Sequence, residues 1–443
     1  MRYKLQRRNT KTKGGVINTF KENRISIEST TKKGEFVMKK IVLFCLAVSL
    51  VAVTTFCLTA ESQAAEPIKI GITEPLSGTF KDIGDRYLEG VEYAVKVINE
   101  QGGLLGRKVK VFAIDSELKP DIATRKAKKL ILKENVKYFM GGTGSSVGAA
   151  MSALALKNNV LMTSYGMEAA SLTGKKCNKN FFRADCNTDT HSYALAAWVA
   201  KSGYKKVFGI AQDYSFGHEA MSAFVKKLNE LNPSIKMVGK IFHKIGEKDF
   251  APYVSQIINS GAEVVFTSNW GSDLTLLLKQ AKPLGLKAKF VCYFLNDDYA
   301  IRSVANDTAV IGSIAGDDYM LTIPLEANKK FIEGFYKAKG YFPSWLRGKS
   351  YQATMFWAEA VKKAGKDDVD AVRKAWEGLT YEGPAGKWYM RPCDHQAQVP
   401  IWIAEIVKDN PFYKHAYVGP ATMIPAKDIE VPCNETGCPG LAK

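Results

Sequence analysis

The sequence predicts an α/β protein of two Rossmann-like lobes, each a parallel sheet covered by helices. Three observations carry that reading. From Ile68 onward, short β-rich apolar runs alternate with amphipathic helical stretches, the pattern of parallel strands joined by helices. From Val207 the alternation starts again in a second set of similar length, and two such sets make two lobes. The 443 residues are 46% hydrophobic with 7 Trp, which rules out a disordered or fibrous chain. At about 150 residues per domain, two to three domains are expected.

In order, residues 68–72 read as the first strand, followed by a helix over 87–99 with Leu88, Val91, Ala94, Val95 and Ile98 on one face. Strands at 109–114, 138–140 and 160–163 are separated by helices at 122–132 and 147–156. The second set runs strand 207–211, helix 218–231, strand 237–242, helix 253–260, strand 264–268, helix 273–281 and strand 290–293. The last third breaks the rhythm, with helices at 325–338, 350–363 and 368–376 and strands at 386–390 and 400–406. These additions read as returns of the chain to the first lobe and then to the second. The tail after Pro411 looks irregular.

Residues 1–37 are basic, polar and aperiodic, and read as translated leader with Met38 as the true start. Met38-Lys39-Lys40 precede an apolar run over 41–59 (IVLFCLAVSLVAVTTFCLT) and then Glu61-Ser62-Gln63-Ala64-Ala65. A charged n-region, an apolar h-region and a small-x-small site describe a secretory signal over 38–64, cut after Ala64, with Ala65 as the alternative. Small and polar residues close the run where an uncleaved anchor would have a basic flank. No second long apolar run follows, which excludes a polytopic membrane protein. Residues 1–64 hold 12 of the 62 Lys+Arg and 4 of the 44 Asp+Glu, which leaves 50 against 40. The remaining basic residues are scattered and not interleaved with aromatics, so no nucleic-acid partner is expected.

Six Cys remain after cleavage, at 177, 186, 292, 393, 433 and 438, and export makes disulfides the default. Cys177 with Cys186 and Cys433 with Cys438 are close enough in sequence to staple surface loops, leaving Cys292 with Cys393. Fifteen connectivities are open. Zinc is disfavoured because no CxxC occurs and the 5 His are scattered. No metal and no cofactor are expected.

Gly141-Gly142-Thr143-Gly144-Ser145-Ser146-Val147-Gly148 is the most informative segment. It follows an apolar strand and opens a helix, so backbone N–H groups and two hydroxyls face whatever sits above the helix N-terminus. That is a site for a carboxylate or phosphate. Gly144-Ser145-Ser146-Val147-Gly148 also matches the G-x-S-x-G elbow of α/β-hydrolases, with Asp394-His395 downstream as acid and base. Adjacent Asp and His side chains rarely orient each other, which weighs against a secreted serine hydrolase. The glycines with Glu168 form a loose dinucleotide fingerprint whose spacing is one residue too long, and the P-loop lysine is absent. The third reading is capture of a small anion without chemistry. Cys393-Asp394-His395-Gln396 reads as a hinge or structural element.

Residues 137–173 (KYFMGGTGSSVGAAMSALALKNNVLMTSYGMEAASLT) resemble the corresponding stretch of the periplasmic leucine/isoleucine/valine-binding protein family. Residues 70–78 (IGITEPLSG), 99–103 (NEQGG), Phe216-Gly217 and 279–287 (KQAKPLGLK) resemble further signatures, and the likeness runs to about Val407. The family comprises type I solute-binding proteins of branched-chain amino acid ABC transporters. The resemblance implies the type I periplasmic binding protein fold, with two lobes joined by a three-crossover hinge. Lobe 1 would be 65–187 plus 318–397, and lobe 2 would be 188–317 plus 398–443. It implies a periplasmic, non-enzymatic monomer that clamps a small carboxylate-containing solute and delivers it to an ABC permease in the inner membrane. That solute would be a branched-chain or other amino acid, or an aromatic or aliphatic acid. A ligand-sensing binding protein on the same fold is the alternative.

By the same resemblance, Ser145 falls where the family's serine holds the ligand carboxylate, with Ser146 beside it. Gly166, Met167 and Glu168 fall on the next carboxylate-binding loop. Phe216 and Trp270 align with aromatics of the second lobe, and Ile83 with a side-chain pocket position. Two residues depart from the pattern. Phe294 stands where the family has an ammonium-binding glutamate, and Glu168 stands where threonine is usual. Either Glu168 or Asp297/Asp298 has taken over the ammonium, or the ligand has no amino group. Phe216, Trp270 and Phe294 would then make an aromatic face for an aromatic or hydrophobic acid.

Overall fold

The computed structural model describes Met38, residues 66–304 and residues 310–441. The leader and signal-peptide expectations, with the cut after Ala64, lie outside the described residues apart from Met38. The first sheet holds β1 (Ile68–Glu74), β2 (Val109–Asp115), β3 (Tyr138–Gly141), β4 (Leu161–Ser164) and β5 (Phe181–Arg183). Its order is β2-β1-β3-β4-β5 and every pairing is parallel. β3 and β4 are buried at every residue, as strands covered on both faces must be, which is why they read as continuous apolar runs. The covering helices are α1 (Lys81–Glu100), α2 (Pro120–Glu134) and α3 (Ser145–Asn158). α1 buries Val91, Ala94, Val95 and Ile98 of the predicted stripe, while Leu88 is half-buried and Tyr87 beside it takes the inward place.

The chain leaves this sheet after Arg183 and enters α4 (Thr188–Lys201), which packs on the second sheet and on α5. Asn187 caps α4 by accepting the Thr190 N–H, while the Thr190 hydroxyl accepts from Asn187 N–H. In chain order the second lobe continues with β6 (Lys206–Gln212), α5 (Ser215–Leu231), β7 (Lys236–His243) and α6 (Ala251–Asn259). Then come β8 (Val264–Thr267), α7 (Gly271–Ala281), β9 (Lys289–Cys292), α8 (Asp298–Arg302) and β10 (Ile314–Asp317). These strands are ordered β7-β6-β8-β9-β10, repeating the order of the first sheet.

After β10 the chain returns as α9 (Glu326–Lys339) and α10 (Trp345–Ala364), with α10 packed along α1. α11 (Val369–Trp376) and a small antiparallel sheet of β11 (Thr380–Gly383), β12 (Gly386–Met390) and β13 (Ala397–Gln398) follow. The chain crosses again into β14 (Ile401–Val407), which joins β10 antiparallel and carries β15 (Tyr417–Val418) and β16 (Thr422–Ile424). Three segments therefore connect the lobes, at 184–187, 318–325 and 399–400. They are tied to one another: Cys186 N–H donates to Asp318 Oδ2 at 2.9 Å, and Gln396 Nε2 donates to the Asp185 carbonyl at 2.7 Å.

The cysteine pairing differs from the sequence expectation. Cys177 bonds Cys438 and Cys393 bonds Cys433, while Cys186 and Cys292 are free and buried. The cause is the tail. After β16 it leaves the second sheet and lies against first-lobe loops, where Arg391 Nη1 donates to the Val431 carbonyl at 2.6 Å. That course brings Cys438 to a Cα separation of 5.6 Å from Cys177 across 261 residues. Cys186 instead sits in the first crossover, sealed from solvent. A Cys177→Ser variant is expected to lose about 2–4 kcal/mol of stability in denaturant titration. Reduction of the wild type, which also opens Cys393–Cys433, should cost more than this single change.

Candidate functional site

The same strand order in both sheets creates two switch points, where neighbouring strands send their connections to opposite faces. A crevice opens beyond the carboxyl ends of strands at such a point. Here the two crevices face each other. The loops after β1, β3 and β4 meet those after β6, β8 and β9 around a cavity. From the first lobe it is lined by Ile83, Tyr87, the turn Gly142 to Ser145, and Gly166. From the second come Tyr214, Phe216, Trp270 and Phe294, and α10 adds Trp345 and Leu346.

The polar end is the start of α3. Gly144 takes φ 86°, a left-handed turn open to glycine, and so delivers the chain into the helix immediately after β3. The first-turn N–H groups beginning at Ser145 have no acceptor within the helix and carry its positive dipole end. Ser145 is buried, and its Oγ accepts the Ala169 N–H at 3.2 Å, leaving its own proton for the cavity. Gly166 lies so close to Tyr87 that a Cβ there would sit 2.2 Å from the Tyr87 hydroxyl.

The opposite wall is aromatic. Phe294 stacks on Trp345 with ring centres 4.8 Å apart, and Phe216 lies parallel to Phe294 at 6.3 Å. Trp270 Nε1 donates to the Tyr214 hydroxyl at 3.0 Å, which leaves the phenolic proton of this buried tyrosine available. Among the described residues no carboxylate side chain lines the cavity.

Three of the residues expected there are elsewhere. Ser146 is exposed on α3. Met167 is fully buried and packs under Gly148. Glu168 turns into the hinge, where Oε1 accepts from Lys349 Nζ at 2.8 Å and Oε2 faces His191 Nδ1 at 3.1 Å. Lys349 also pairs with Asp317 at 3.2 Å and Asp318 at 3.1 Å. Burial alone would raise the Glu168 carboxyl, but Lys349 and His191 hold it at about 2. Burial pushes Asp317 up to about 7, against the pull of Lys349. One cation among three carboxylates, together with burial, favours the protonated form of Asp317. Glu168, Cys186, His191 and Asp317 bring metal-ligand atoms within 4.8 Å of one another, but the Lys349 ammonium is already the cation among them. Asp297 is likewise engaged, in a two-point pair with Arg86. Neither Glu168 nor Asp297 reaches the cavity as a replacement for the family's glutamate.

The sequence profile of the periplasmic binding protein family matches residues 67–411. The chain belongs to this family. The Leu/Ile/Val-binding protein homolog 4 of Brucella abortus (strain 2308) is 30% identical over 379 residues, covering 82% of this chain and 88% of the relative. The leucine-, isoleucine-, valine-, threonine-, and alanine-binding protein of Brucella ovis, in its closed conformation, superposes with a TM-score of 0.76 at 28% identity. That match covers 83% of this chain and 98% of the other. An R. palustris ABC transporter solute-binding protein in complex with benzoate gives a TM-score of 0.73 at 21% identity, covering 84% and 99%. That last likeness is one of fold. The protein is thus a solute-binding protein of the type I periplasmic fold.

In such a binding protein, contacts between the lobes hold the closed state. Arg86 on α1 donates to both carboxylate oxygens of Asp297, at 2.9 and 3.2 Å, with both side chains buried. On another side, Glu219 of α5 accepts the Ser171 N–H at 3.1 Å and the Ser171 hydroxyl at 2.8 Å. The elbow residues make no hydrolytic set. Asp394 pairs with Arg391, and buried His395 faces Glu377 and stacks on Phe182. Among the described residues no histidine is bonded to Ser145 or Ser146. Sequence reasoning missed Tyr87, Tyr214, Trp345 and Leu346. Tyr214 had a signal, since it lies three residues beyond the predicted strand 207–211 and two before Phe216. Trp345 had none, arriving from the last third of the chain.

Proposed function

We propose that this binding protein captures a small carboxylate whose remainder is aromatic or otherwise apolar and carries no α-ammonium, and delivers it as a monomer to an ABC permease. The single observation behind the reading is the cavity's chemistry: helix N–H groups and Ser145 at one end, six aromatic side chains around the rest, and among the described residues no carboxylate to meet an ammonium. A buried ammonium without a partner costs several kcal/mol, so an amino acid is disfavoured. The protein binds without catalysis and reaches the periplasm through the signal over 38–64. Closure follows from the ligand's greater affinity for the closed lobes.

The second reading is a branched-chain amino acid, favoured by the 30% identity to the Brucella Leu/Ile/Val-binding protein homolog 4. A thermal-shift panel of aromatic acids, aliphatic acids and amino acids separates the two. A ligand at about one hundred times its dissociation constant stabilises by about 2.7 kcal/mol, a shift of a few degrees. Aromatic carboxylates are expected to shift the melting temperature and leucine is not. A shift with leucine alone would overturn the reading.

A further inference from the structure

Glu74, the last residue of β1, is fully buried beneath the turn that begins α3. Its Oε1 accepts the Gly142 N–H at 2.6 Å and its Oε2 accepts the Thr143 hydroxyl. Both donors belong to the anion-binding turn lining the cavity. The groups facing this carboxyl from the neighbouring elements are neutral: Tyr165 after β4 and Tyr87 on α1. On the adjacent strand, Asp115 stands in register with Glu74, its carboxylate accepting the Leu76 and Glu117 N–H groups. Among the described residues no Lys, Arg or His pairs with Glu74. A buried carboxylate with no cation therefore lies against the turn that must receive a second carboxylate.

We propose that capture of a carboxylate ligand is coupled to uptake of one proton by Glu74. Closing the lobes over the ligand places two like charges at one turn with water excluded, and both cannot stay ionised. The ligand takes the helix N–H groups, and the proton comes from solvent to a Glu74 oxygen. The Tyr165 hydroxyl, buried against Glu74 and favouring the ionised form of that carboxyl before uptake, has only to rotate to accept the new O–H. Burial already pushes the Glu74 carboxyl up to about 7, so only a modest further push is required near neutrality. Glu74 acts on the ligand through Gly142 and Thr143 and is a positioning residue. The coupling rests on the carboxylate reading above.

The test is calorimetric titration of the purified protein with benzoate and 3-phenylpropanoate at pH 8, in two buffers of different ionisation enthalpy. Both ligands are fully ionised there, so buffer dependence reports protons taken up by the protein. Uptake approaching one proton at pH 8 and near zero at pH 5.5 is expected. Affinity should weaken by up to about tenfold per pH unit above 7. Glu74→Gln, which keeps the shape and an acceptor for Gly142 N–H, should bind with no uptake and a flat pH profile. Binding without uptake by the wild type, or uptake retained in Glu74→Gln, overturns the inference alone. Failure of every carboxylate to bind at any pH overturns the functional reading and this coupling with it. Should Glu74→Gln fail to fold, the wild-type buffer comparison decides.

Discussion

Arg86→Ala is expected to weaken ligand capture by roughly two to three orders of magnitude. Arg86 and Asp297 come from opposite lobes and make a two-point pair at 2.9 and 3.2 Å, both nearly sealed from solvent. Removing one partner of a buried pair costs about 3–5 kcal/mol, because the other charge is left buried and alone. In the open protein Asp297 returns to water, so the cost falls on the closed state alone. At 1.4 kcal/mol per tenfold, the penalty becomes a loss of affinity of at least about a hundredfold. Arg86→Lys should recover little, since an ammonium cannot reproduce the two-point geometry. Calorimetric titration checks this, and a dissociation constant within threefold of wild type would contradict it.

Lys349→Met is expected to lower global stability by about 3–5 kcal/mol, the largest stability effect of any single change considered. The ammonium is fully buried and pairs with Glu168 from the first lobe's loop, Asp317 at the end of β10 and Asp318 in the second crossover. Burial would lower Lys349, yet Asp317 and Asp318 hold it well above its ordinary value. The pH signature follows with its sign. Glu168 is depressed to about 2 from 4.5, so its contribution is present above 4.5 and is lost as pH falls toward 2. Asp317 is raised to about 7 from 3.8, so its contribution is full below 3.8 and is lost as pH rises through 7. Without Lys349, Glu168 no longer has the cation that depresses it. Acidification from neutrality toward pH 5 should therefore stabilise the variant more than the wild type. Denaturant titrations across that range measure it, and superimposable pH profiles would contradict the assignment.

The βα rhythm was legible because covered strands are apolar throughout and most of their helices bury one stripe. α4 was not, since Thr188, His191, Ser192, Ala194, Leu195, Ala196 and Val199 are all buried and the helix shows no amphipathic period. β5 and β10 were missed because they span three and four residues, and β10 carries Gly316 and Asp317. In the site, Ser145, Gly166, Phe216, Trp270, Phe294 and Ile83 lie together around one cavity. The role of Glu168 could not be read locally. Its partner Lys349 lies 181 residues away, and only the return of the last third of the chain brings the two together. The cysteine pairing failed for the same reason, because proximity in sequence says nothing about a tail that doubles back.

On the reading proposed above, this periplasmic binding protein holds a carboxylate and refuses an α-ammonium. The most direct measurement is a pair of calorimetric titrations at pH 7, one with 3-phenylpropanoate and one with L-phenylalanine, which share a skeleton and differ in the amino group. 3-Phenylpropanoate is expected to bind at least about a hundredfold more tightly, the discrimination set by an ammonium with no partner. Equal or tighter binding of phenylalanine would contradict it, and would mean that a carboxylate enters the cavity to meet the amine.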